Sequence, residues 1–191
     1  MLFRFMAPFY DHFMQRAGLD QGEKLALWCD PKPGQHLLDL GGGTGINVPA
    51  LVKRGAQVTI LDASRDMLKQ ARAKQIPAEL KLGDARQMPF PAGYFDGAIC
   101  SDAWHHMRQQ HKVAAELARV LKPGARVVIL EFHPERWQVK IIKAGEMLFG
   151  EPGTFVKPHC LKEQLRAVGI LGEMQRVGDW QYVFTGHKTG T

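Results

Sequence analysis

The chain has 191 residues, 45% of them hydrophobic, which suits one globular domain spanning residues 1–191 with a substantial core. No apolar run approaches the roughly 20 residues that a transmembrane helix requires, and residues 1–10 lack the apolar centre and cleavage site of a signal peptide, so we expect a cytoplasmic protein. The net charge of +6 comes from dispersed lysines and arginines without the aromatic interleaving of a nucleic-acid surface, so we expect no nucleic-acid partner.

The first segment that can be interpreted is residues 1–17, which are predicted to form a helix. Phe5, Phe9, Phe13 and Met14 fall near one face of that helix. Residues 1–20 could therefore form a lid over a site at the edge of the domain. Ordinary packing of the aromatic stripe against the core explains the same pattern.

From residue 36 onward, short apolar runs alternate with helical patterns, which is typical of a parallel sheet covered by helices. The predicted strands are residues 36–40, 57–62, 79–82, 95–101, 126–132, 173–177 and 181–186. The predicted helices are residues 46–54, 64–74, 109–121 and 159–168. The sequence Lys122-Pro123-Gly124 predicts a turn before the fifth strand, and only Gly178-Asp179-Trp180 separates the last two strands, which must form an antiparallel hairpin.

Residues 134–158 form a short insert after the fifth strand, outside the strand and helix alternation. Within it, residues 136–149 mix apolar side chains with Arg136, Lys140 and Lys143, the pattern of a basic amphipathic helix. Such a helix could touch a membrane surface or admit a lipid-like molecule. A lid that packs on its own sheet is the simpler interpretation.

The most informative motif is residues 37–45, an apolar strand that runs into a glycine-rich turn. Gly41, Gly43 and Gly45 let the backbone approach a ligand closely, as in nucleoside-cofactor sites. A dinucleotide fingerprint needs a glycine one residue later, where this chain has Ile46. Asp39 would repel a pyrophosphate but would suit the ammonium and sulfonium groups of S-adenosylmethionine.

Three acidic residues, Asp39, Asp62 and Asp84, fall at the carboxyl ends of the first three predicted strands, so the fold brings them to one edge. Asp62 is placed to accept hydrogen bonds from both hydroxyls of a ribose. Asp84 can accept from an adenine amino group while the Ala85 N–H donates to the ring. The alternatives are a helix N-cap for Asp62 and a turn aspartate for Asp84.

These motifs jointly resemble the class I S-adenosylmethionine-dependent methyltransferases, in the small-molecule branch that includes ubiquinone and menaquinone C-methyltransferases. The resemblance spans nearly the whole chain and is carried by residues 37–45, 61–64, 83–85, 88–90, 95–96, 104–106 and 119–124. It implies an α/β, Rossmann-like three-layer sandwich with a seven-stranded, mostly parallel sheet of order 3-2-1-4-5-7-6 and an antiparallel last strand.

The resemblance also implies a cofactor and a binding site. The cofactor is S-adenosylmethionine, with S-adenosylhomocysteine as the product. Its methionine end would lie by the glycine loop and its adenine between the second and third strands. The binding residues it implies are Tyr10, Asp39, Gly41, Gly43, Gly45, Asp62, Ala63, Met67, Asp84, Ala85 and Ser101.

Methyl transfer is an in-line displacement that chiefly requires orientation and desolvation, although some acceptors need a base to remove a proton. The candidate bases near the ends of the fourth and fifth strands are His105, His106, Glu131, His133 and Asp102. In relatives, the paired histidines often pack against the next helix. Three aromatic side chains could line an acceptor pocket or simply pack: Trp104, Trp137 and Phe149.

The acceptor is expected to be a small or lipid-like molecule. The segment after the fifth strand lacks the signature of the quinone methyltransferases. The scattered Cys29, Cys100 and Cys160 argue against a Cys-x-x-Cys metal site, and they disfavour the related arsenite methyltransferases, which rely on several suitably placed cysteines. We expect no bound metal. Two alternatives are a non-catalytic S-adenosylmethionine-binding regulator or partner subunit and an NAD-dependent oxidoreductase. Nothing in the sequence indicates an oligomeric state.

Overall fold

A computed structural model of the chain describes residues 10–16, 21–148 and 153–190. Its centre is a seven-stranded sheet with the order β3-β2-β1-β4-β5-β7-β6, which confirms the predicted topology. The strands are β1 (His36–Leu40), β2 (Gln57–Asp62), β3 (Glu79–Leu82), β4 (Phe95–Ser101), β5 (Leu121–Phe132), β6 (Ile170–Val177) and β7 (Gln181–Lys188). Strands β1 to β5 pair in parallel, whereas β7 runs antiparallel to both β5 and β6.

Helices cover both faces of the sheet and make the predicted three-layer sandwich. They are α1 (Tyr10–Arg16), α2 (Gly22–Cys29), α3 (Val48–Val52), α4 (Arg65–Ala73), α5 (Gln110–Val120), α6 (Trp137–Leu148) and α7 (Pro158–Arg166), with a 3₁₀ turn at Trp104–His106. Leu25 of α2, Leu51 of α3 and Leu68 of α4 belong to the core on one face. Leu117 of α5 and Leu161 of α7 belong to the core on the other.

The central strand β1 is buried on both sides, as expected for a strand flanked by parallel neighbours. Leu38 and Leu40 enter one core cluster while Leu37 enters the other, because successive side chains of a strand point to opposite faces. Asp39 is a buried carboxylate in the middle of this apolar strand. Burying an ionised carboxylate without a partner costs folding free energy. Asp39 therefore indicates a functional role for the edge of the sheet where β1 ends.

The predicted turn at residues 122–124 is wrong in one respect, because β5 already begins at Leu121. Leu121 pairs with Phe95 of β4, and the register shifts before Arg126 pairs with Gly97. Gly124 has φ +79°, so the backbone makes its excursion as a bulge inside the strand. Strand pairing on both sides of this glycine outweighs the local turn preference. The last two strands form the predicted hairpin, with Val177 opposite Gln181.

Helices α1 and α6 meet above the carboxyl edge of the sheet. Met14 of α1, Val139 of α6 and Phe132 at the end of β5 form a separate apolar cluster, here called the lid cluster. Only Tyr10–Arg16 of the predicted helix over residues 1–17 lies within the described residues. In the described part of the chain, no helix combines the length and hydrophobicity needed to cross a bilayer.

Arg119 fixes the loop that follows β3. Its guanidinium donates to the carbonyl of Phe90 at 2.8 Å and to the carbonyl of Met88 at 3.0 Å, and it pairs with Glu116. Glu116 in turn accepts from the Met88 N–H at 2.7 Å. The motif at residues 88–90 is therefore positioned by the end of α5.

Replacing Arg119 with alanine should lower the free energy of unfolding by about 1–3 kcal/mol, because two carbonyls and Glu116 lose their donor. Urea denaturation measures the change. Arg166→Ala is the matched control, since Arg166 makes the same i, i+3 contact with Glu163 on an exposed surface. That control should change stability by less than about 1 kcal/mol. Equal effects of the two substitutions would contradict the assignment.

Candidate functional site

A cavity of about 930 Å³ opens at the carboxyl ends of β1 to β4. This is the edge where open α/β sheets bind ligands. Residues that line it come from the glycine loop, from the ends of β2 and β3, from the turn after β4 and from α1. They include Met14, Gly41, Gly43, Asp62, Ala63, Met67, Asp84, Ala85, Ser101, Asp102 and His106. Most of the predicted cofactor-binding residues are thus brought together.

The glycine loop has a backbone conformation and close neighbours that disfavour side chains. Gly41 and Gly43 have φ values of +72° and +53°, and a Cβ would lie 2.6 Å from Ala103 Cβ at Gly41 and 2.9 Å from Met67 Cε at Gly43. Both glycines line the cavity. Gly45 does not line the cavity. A Cβ at Gly45 would instead lie 2.9 Å from Ile76 Cγ2. The third glycine therefore allows the loop to pack on its own domain.

Asp62 stands at the end of β2 and lines the cavity. Its Oδ2 accepts the Gly43 N–H at 2.9 Å and its Oδ1 accepts the Ser64 N–H at 2.7 Å. Each oxygen keeps a further lone pair for a ligand. Burial raises the pKa of this carboxyl, while the two N–H groups oppose that rise. Helix α4 is capped by Ser64, whose Oγ accepts the Met67 N–H, so Asp62 is not its N-cap.

Asp39 lies directly beneath the glycine loop. Both of its carboxylate oxygens are buried and accept no hydrogen bond from the described residues. A Cβ on Gly42 would lie 2.5 Å from Asp39 Cγ, which explains a glycine at a position with ordinary backbone geometry. Burial, and secondarily the Asp62 charge, raises the pKa of Asp39 to about 7. Asp39 does not line the cavity itself, so its influence there is electrostatic.

Replacing Asp39 with asparagine should stabilise the protein more at high pH than at low pH. Folding favours the protonated carboxyl, so wild-type stability is lost as the pH rises from the ordinary pKa of 3.8 towards about 7. Each unit of that interval corresponds to about 1.4 kcal/mol. Urea unfolding of both proteins at about pH 5 and about pH 8 measures the difference. An equal difference in unfolding free energy between the two proteins at both pH values would contradict this prediction.

The predicted adenine contacts occupy the far end of the cavity. Asp84 and Ala85 both line it, but the Asp84 carboxylate pairs with Arg86, which donates from Nη2 at 2.6 Å. This hydrogen bond lowers the pKa of Asp84. At the other end, Ser101 lines the cavity beside Asp102. The side chain of Tyr10 lies outside the described residues, while its neighbour Asp11 pairs with Thr44 and Lys74 and so joins α1 to the glycine loop and α4.

Among the predicted bases, only His106 and Asp102 line the cavity. Asp102 has φ +49°, a strained backbone conformation for a residue other than glycine, and its Oδ1 accepts from Gln181 Nε2 at 2.9 Å. Burial, reinforced by Glu131, raises the pKa of Asp102 to about 7. A carboxyl that titrates near neutrality can accept a proton at physiological pH.

His105 and Glu131 instead form a buried pair behind the cavity wall. His105 Nδ1 lies 2.9 Å from both oxygens of Glu131, and its ring stacks on Phe155. Burial lowers the pKa of His105, but Glu131 and then Glu146 outweigh it and raise that pKa to about 10. His133 does not line the cavity either, and its buried Nδ1 has no hydrogen-bond partner among the described residues.

The three aromatic residues considered for an acceptor pocket do not meet at the cavity. Trp104 is completely buried in the core, and Trp137 is 68% exposed on α6. Phe149 lies outside the described residues. Met14, which the sequence places on one face of a possible lid helix, lines the cavity. Sequence reasoning missed Glu146, which contacts His105. Glu146 could have been found as the one acidic side chain on the Val139 face of the α6 sequence.

The site fits an adenosyl cofactor in three respects. It has a glycine cradle that a Cβ would fill, an acidic acceptor with free lone pairs at the end of β2, and a buried unpaired carboxylate under the loop. The last feature favours a ligand that carries positive charge. A pyrophosphate would meet two carboxylates there, which disfavours a dinucleotide.

Comparison with known proteins agrees with this geometry. A family model described as a methyltransferase domain matches residues 38–129. The chain is 40% identical over 103 residues to the demethylmenaquinone methyltransferase of Corynebacterium kroppenstedtii, covering 54% of this chain and 44% of that protein. It is 29% identical over 200 residues to the demethylmenaquinone methyltransferase of Deinococcus radiodurans, covering 88% and 83%. The first of these matches spans less than half the length of the curated relative.

Among solved structures, the chain resembles a methyltransferase in complex with the Trm112 methyltransferase activator of Haloferax volcanii. The TM-score is 0.82 at 18% identity, with 98% of each chain covered. At that identity the likeness shows the fold, which here extends over nearly the whole chain. The matched family domain contains the glycine loop, Asp62 and the turn after β4, so the sequence match falls on the cavity itself. Residues 38–129 therefore form a class I S-adenosylmethionine-dependent methyltransferase domain, with distant similarity to the ubiquinone and menaquinone C-methyltransferases.

Proposed function

We propose that the chain transfers the methyl group of S-adenosylmethionine to a small, lipid-like acceptor. The observation that carries this proposal is Asp62, whose two oxygens are held by loop N–H groups while keeping free lone pairs towards the cavity. A ribose with two adjacent hydroxyls matches that pair of acceptors. The methionine part would then lie along Gly41 and Gly43, where its ammonium group is attracted by the Asp39 carboxylate.

In this arrangement the adenine occupies the end of the cavity near Asp84 and Ala85. The Ala85 N–H would donate to the ring, and Asp84 would accept from the amino group if it releases Arg86. The reactive methyl group then points towards the turn after β4. When bound, the cofactor supplies an electrophilic methyl, so the chain's task is to orient the acceptor and exclude water.

The acceptor end of the cavity is bounded by Asp102, Ala103, His106 and Met107. Asp102 and His106 are the two titratable groups among the predicted bases that reach it, and either can take a proton from an acidic acceptor atom. The buried His105–Glu131 pair holds the 3₁₀ turn in place, since Glu131 also accepts the His105 N–H at 3.2 Å. We assign that pair a positioning role.

The outer face of α6 supports a lipid-like acceptor. Trp137, Ile141 and Met147 are 68%, 62% and 73% exposed, while Val139 on the opposite face packs into the lid cluster. Lys140 and Lys143 are exposed beside this apolar strip. An apolar strip with a basic border matches the surface of an anionic bilayer. We propose that α6 rests on such a surface and places the cavity mouth near membrane-dissolved acceptors.

Calorimetric titration with S-adenosylhomocysteine, S-adenosylmethionine and NAD tests the cofactor. Binding of the two adenosyl compounds and not of NAD is the expected result, and binding of NAD alone would overturn the proposal. A methyl-transfer assay then begins with reduced naphthoquinones, because the relatives are demethylmenaquinone methyltransferases. Cofactor binding without transfer to quinols, phenols or phospholipids would favour the regulator alternative.

Sedimentation with vesicles of phosphatidylcholine and phosphatidylglycerol tests the α6 surface. The chain should bind the anionic vesicles in a salt-sensitive manner, and Ile141→Ser should weaken binding strongly because the strip loses its centre. Leu171→Ser is the matched control, since Leu171 is 50% exposed on β6, away from the site. Equal losses in both variants, or no binding to anionic vesicles, would refute the membrane contact.

A further inference from the structure

We propose that His105, His106 and Glu146 form a binding site for a divalent transition-metal ion of the zinc class, between the 3₁₀ turn after β4 and the lid helix α6. Each residue contributes one donor atom, and the three atoms lie within 4.8 Å of one another. His105 Nε2 is 3.3 Å and His106 Nε2 is 3.7 Å from Glu146 Oε1. Ligand atoms around a tetrahedral zinc ion are about 3.4 Å apart, given bonds of about 2.05 Å.

The orientation of His105 suits a metal ligand. Glu131 accepts from His105 Nδ1 through both oxygens at 2.9 Å, and it is itself held by the N–H groups of His105 and Phe132. A hydrogen bond on Nδ1 fixes the tautomer and turns the Nε2 lone pair towards Glu146. A carboxylate behind a histidine is the usual second layer of a zinc site. Without a metal ion, a proton on His105 Nε2 fills this position and is donated to Glu146, and binding of the ion would displace that proton.

The charge of the cluster favours a divalent ion over a proton. Glu131 and Glu146 are 1% and 8% exposed, and Asp102 is buried nearby. Among the described residues, both glutamates form ion pairs with histidine side chains, and neither pairs with a lysine or an arginine. One proton on His105 leaves a buried negative charge, whereas a doubly charged ion balances both glutamates. Glu146 Oε2 is buried and has no hydrogen-bond partner among the described residues, so it is available as a ligand.

Two imidazole nitrogens and one carboxylate suit zinc and its neighbours rather than magnesium or calcium, which prefer oxygen ligands. The ion would connect α6 to the turn whose His106 lines the cavity, and with the Nε2 lone pair of His106 bound to it, Asp102 would be left as the base at the acceptor end. Metal occupancy would therefore fix the lid helix over the acceptor end of the site. This inference does not rest on methyl transfer, because its evidence is the donor geometry and the charge of the cluster.

The test uses the full chain without a polyhistidine tag, stripped with a chelator and titrated with CoCl₂ and then ZnCl₂. One equivalent of cobalt should give the intense visible bands of a four-coordinate ion, and zinc should displace it. Glu146→Gln should weaken binding more than a hundredfold, and Glu131→Gln, which loses only the supporting carboxylate, should weaken it about 10- to 100-fold. His111→Ala is the matched control, because His111 is an exposed histidine on α5, and it should bind as the wild type does.

A second variant guards against loss of folding. His106→Cys in a Cys160→Ser background, which removes the exposed thiol, should bind cobalt with a new thiolate-to-cobalt charge-transfer band. Failure of the wild type to bind one equivalent, or binding that Glu146→Gln leaves unchanged, would overturn the proposal. Nitrogen NMR that shows both His105 ring nitrogens protonated in the presence of zinc would do the same.

Discussion

Gly43→Val should abolish binding of S-adenosylhomocysteine. Gly43 has φ +53°, where a β-branched residue is strained, and it lines the cavity, so a valine side chain would fill space that the ligand needs. Its N–H also donates to Asp62, so a displaced loop would disturb the ribose acceptor as well. Isothermal titration calorimetry at ligand concentrations well above the wild-type dissociation constant measures the loss.

The matched control is Gly178→Val in the hairpin between β6 and β7. Gly178 has a similar φ of +58°, but nothing lies within 4 Å of a Cβ built there. A valine at position 178 would therefore introduce the same backbone strain, about 1–3 kcal/mol, without filling the ligand cavity. Gly178→Val should be less stable than the wild type and should still bind the ligand. Normal binding by Gly43→Val would mean that the ligand sits elsewhere.

Asp62→Ala should weaken binding of S-adenosylhomocysteine by roughly tenfold to a hundredfold. Hydrogen bonds to a charged group contribute about 1.5–3 kcal/mol, and every 1.4 kcal/mol changes the dissociation constant about tenfold. The alanine also leaves the Gly43 and Ser64 N–H groups without an acceptor, which loosens the loop. Calorimetry gives the affinity, and urea denaturation shows how much of the effect is structural.

Two further variants separate these contributions. Asp62→Asn keeps one acceptor for the loop but offers a neutral group to the ribose, so its loss of affinity should exceed its loss of stability. Asp66→Ala removes another carboxylate that lines the cavity and that makes no hydrogen bond with the described part of the chain, so this variant should bind nearly as the wild type does. An Asp62→Ala variant with unchanged affinity would refute the ribose assignment.

The parts of this molecule that can be predicted from sequence are those set by local patterns. The glycine loop, the acid at the end of β2 and the alternation of strands with helices depend on residues close together in the chain, and the structure places them as expected at one edge. The boundary of β5 could not be predicted in this way. Leu121 becomes part of the strand because Phe95, from a distant segment, pairs with it.

The base candidates show the same limit more sharply. His105 and His106 are adjacent in sequence, yet His105 is buried against Glu131 while His106 faces the cavity. A 3₁₀ turn directs neighbouring side chains to different sides, and which side is buried depends on where β5 and α6 lie. Glu146 contacts His105 because α6 packs against the 3₁₀ turn in the folded protein, so no local sequence pattern predicts this contact.

The lid cluster has a consequence for how molecules reach the cavity. Met14 from α1, Val139 from α6 and Phe132 share a single apolar interior, so raising one helix leaves the other without its partner surface. Elements that share buried contacts unfold locally as one cooperative unit. We therefore expect cofactor exchange and acceptor entry to depend on a single opening, and amide hydrogen exchange should show α1 and α6 opening with the same free energy.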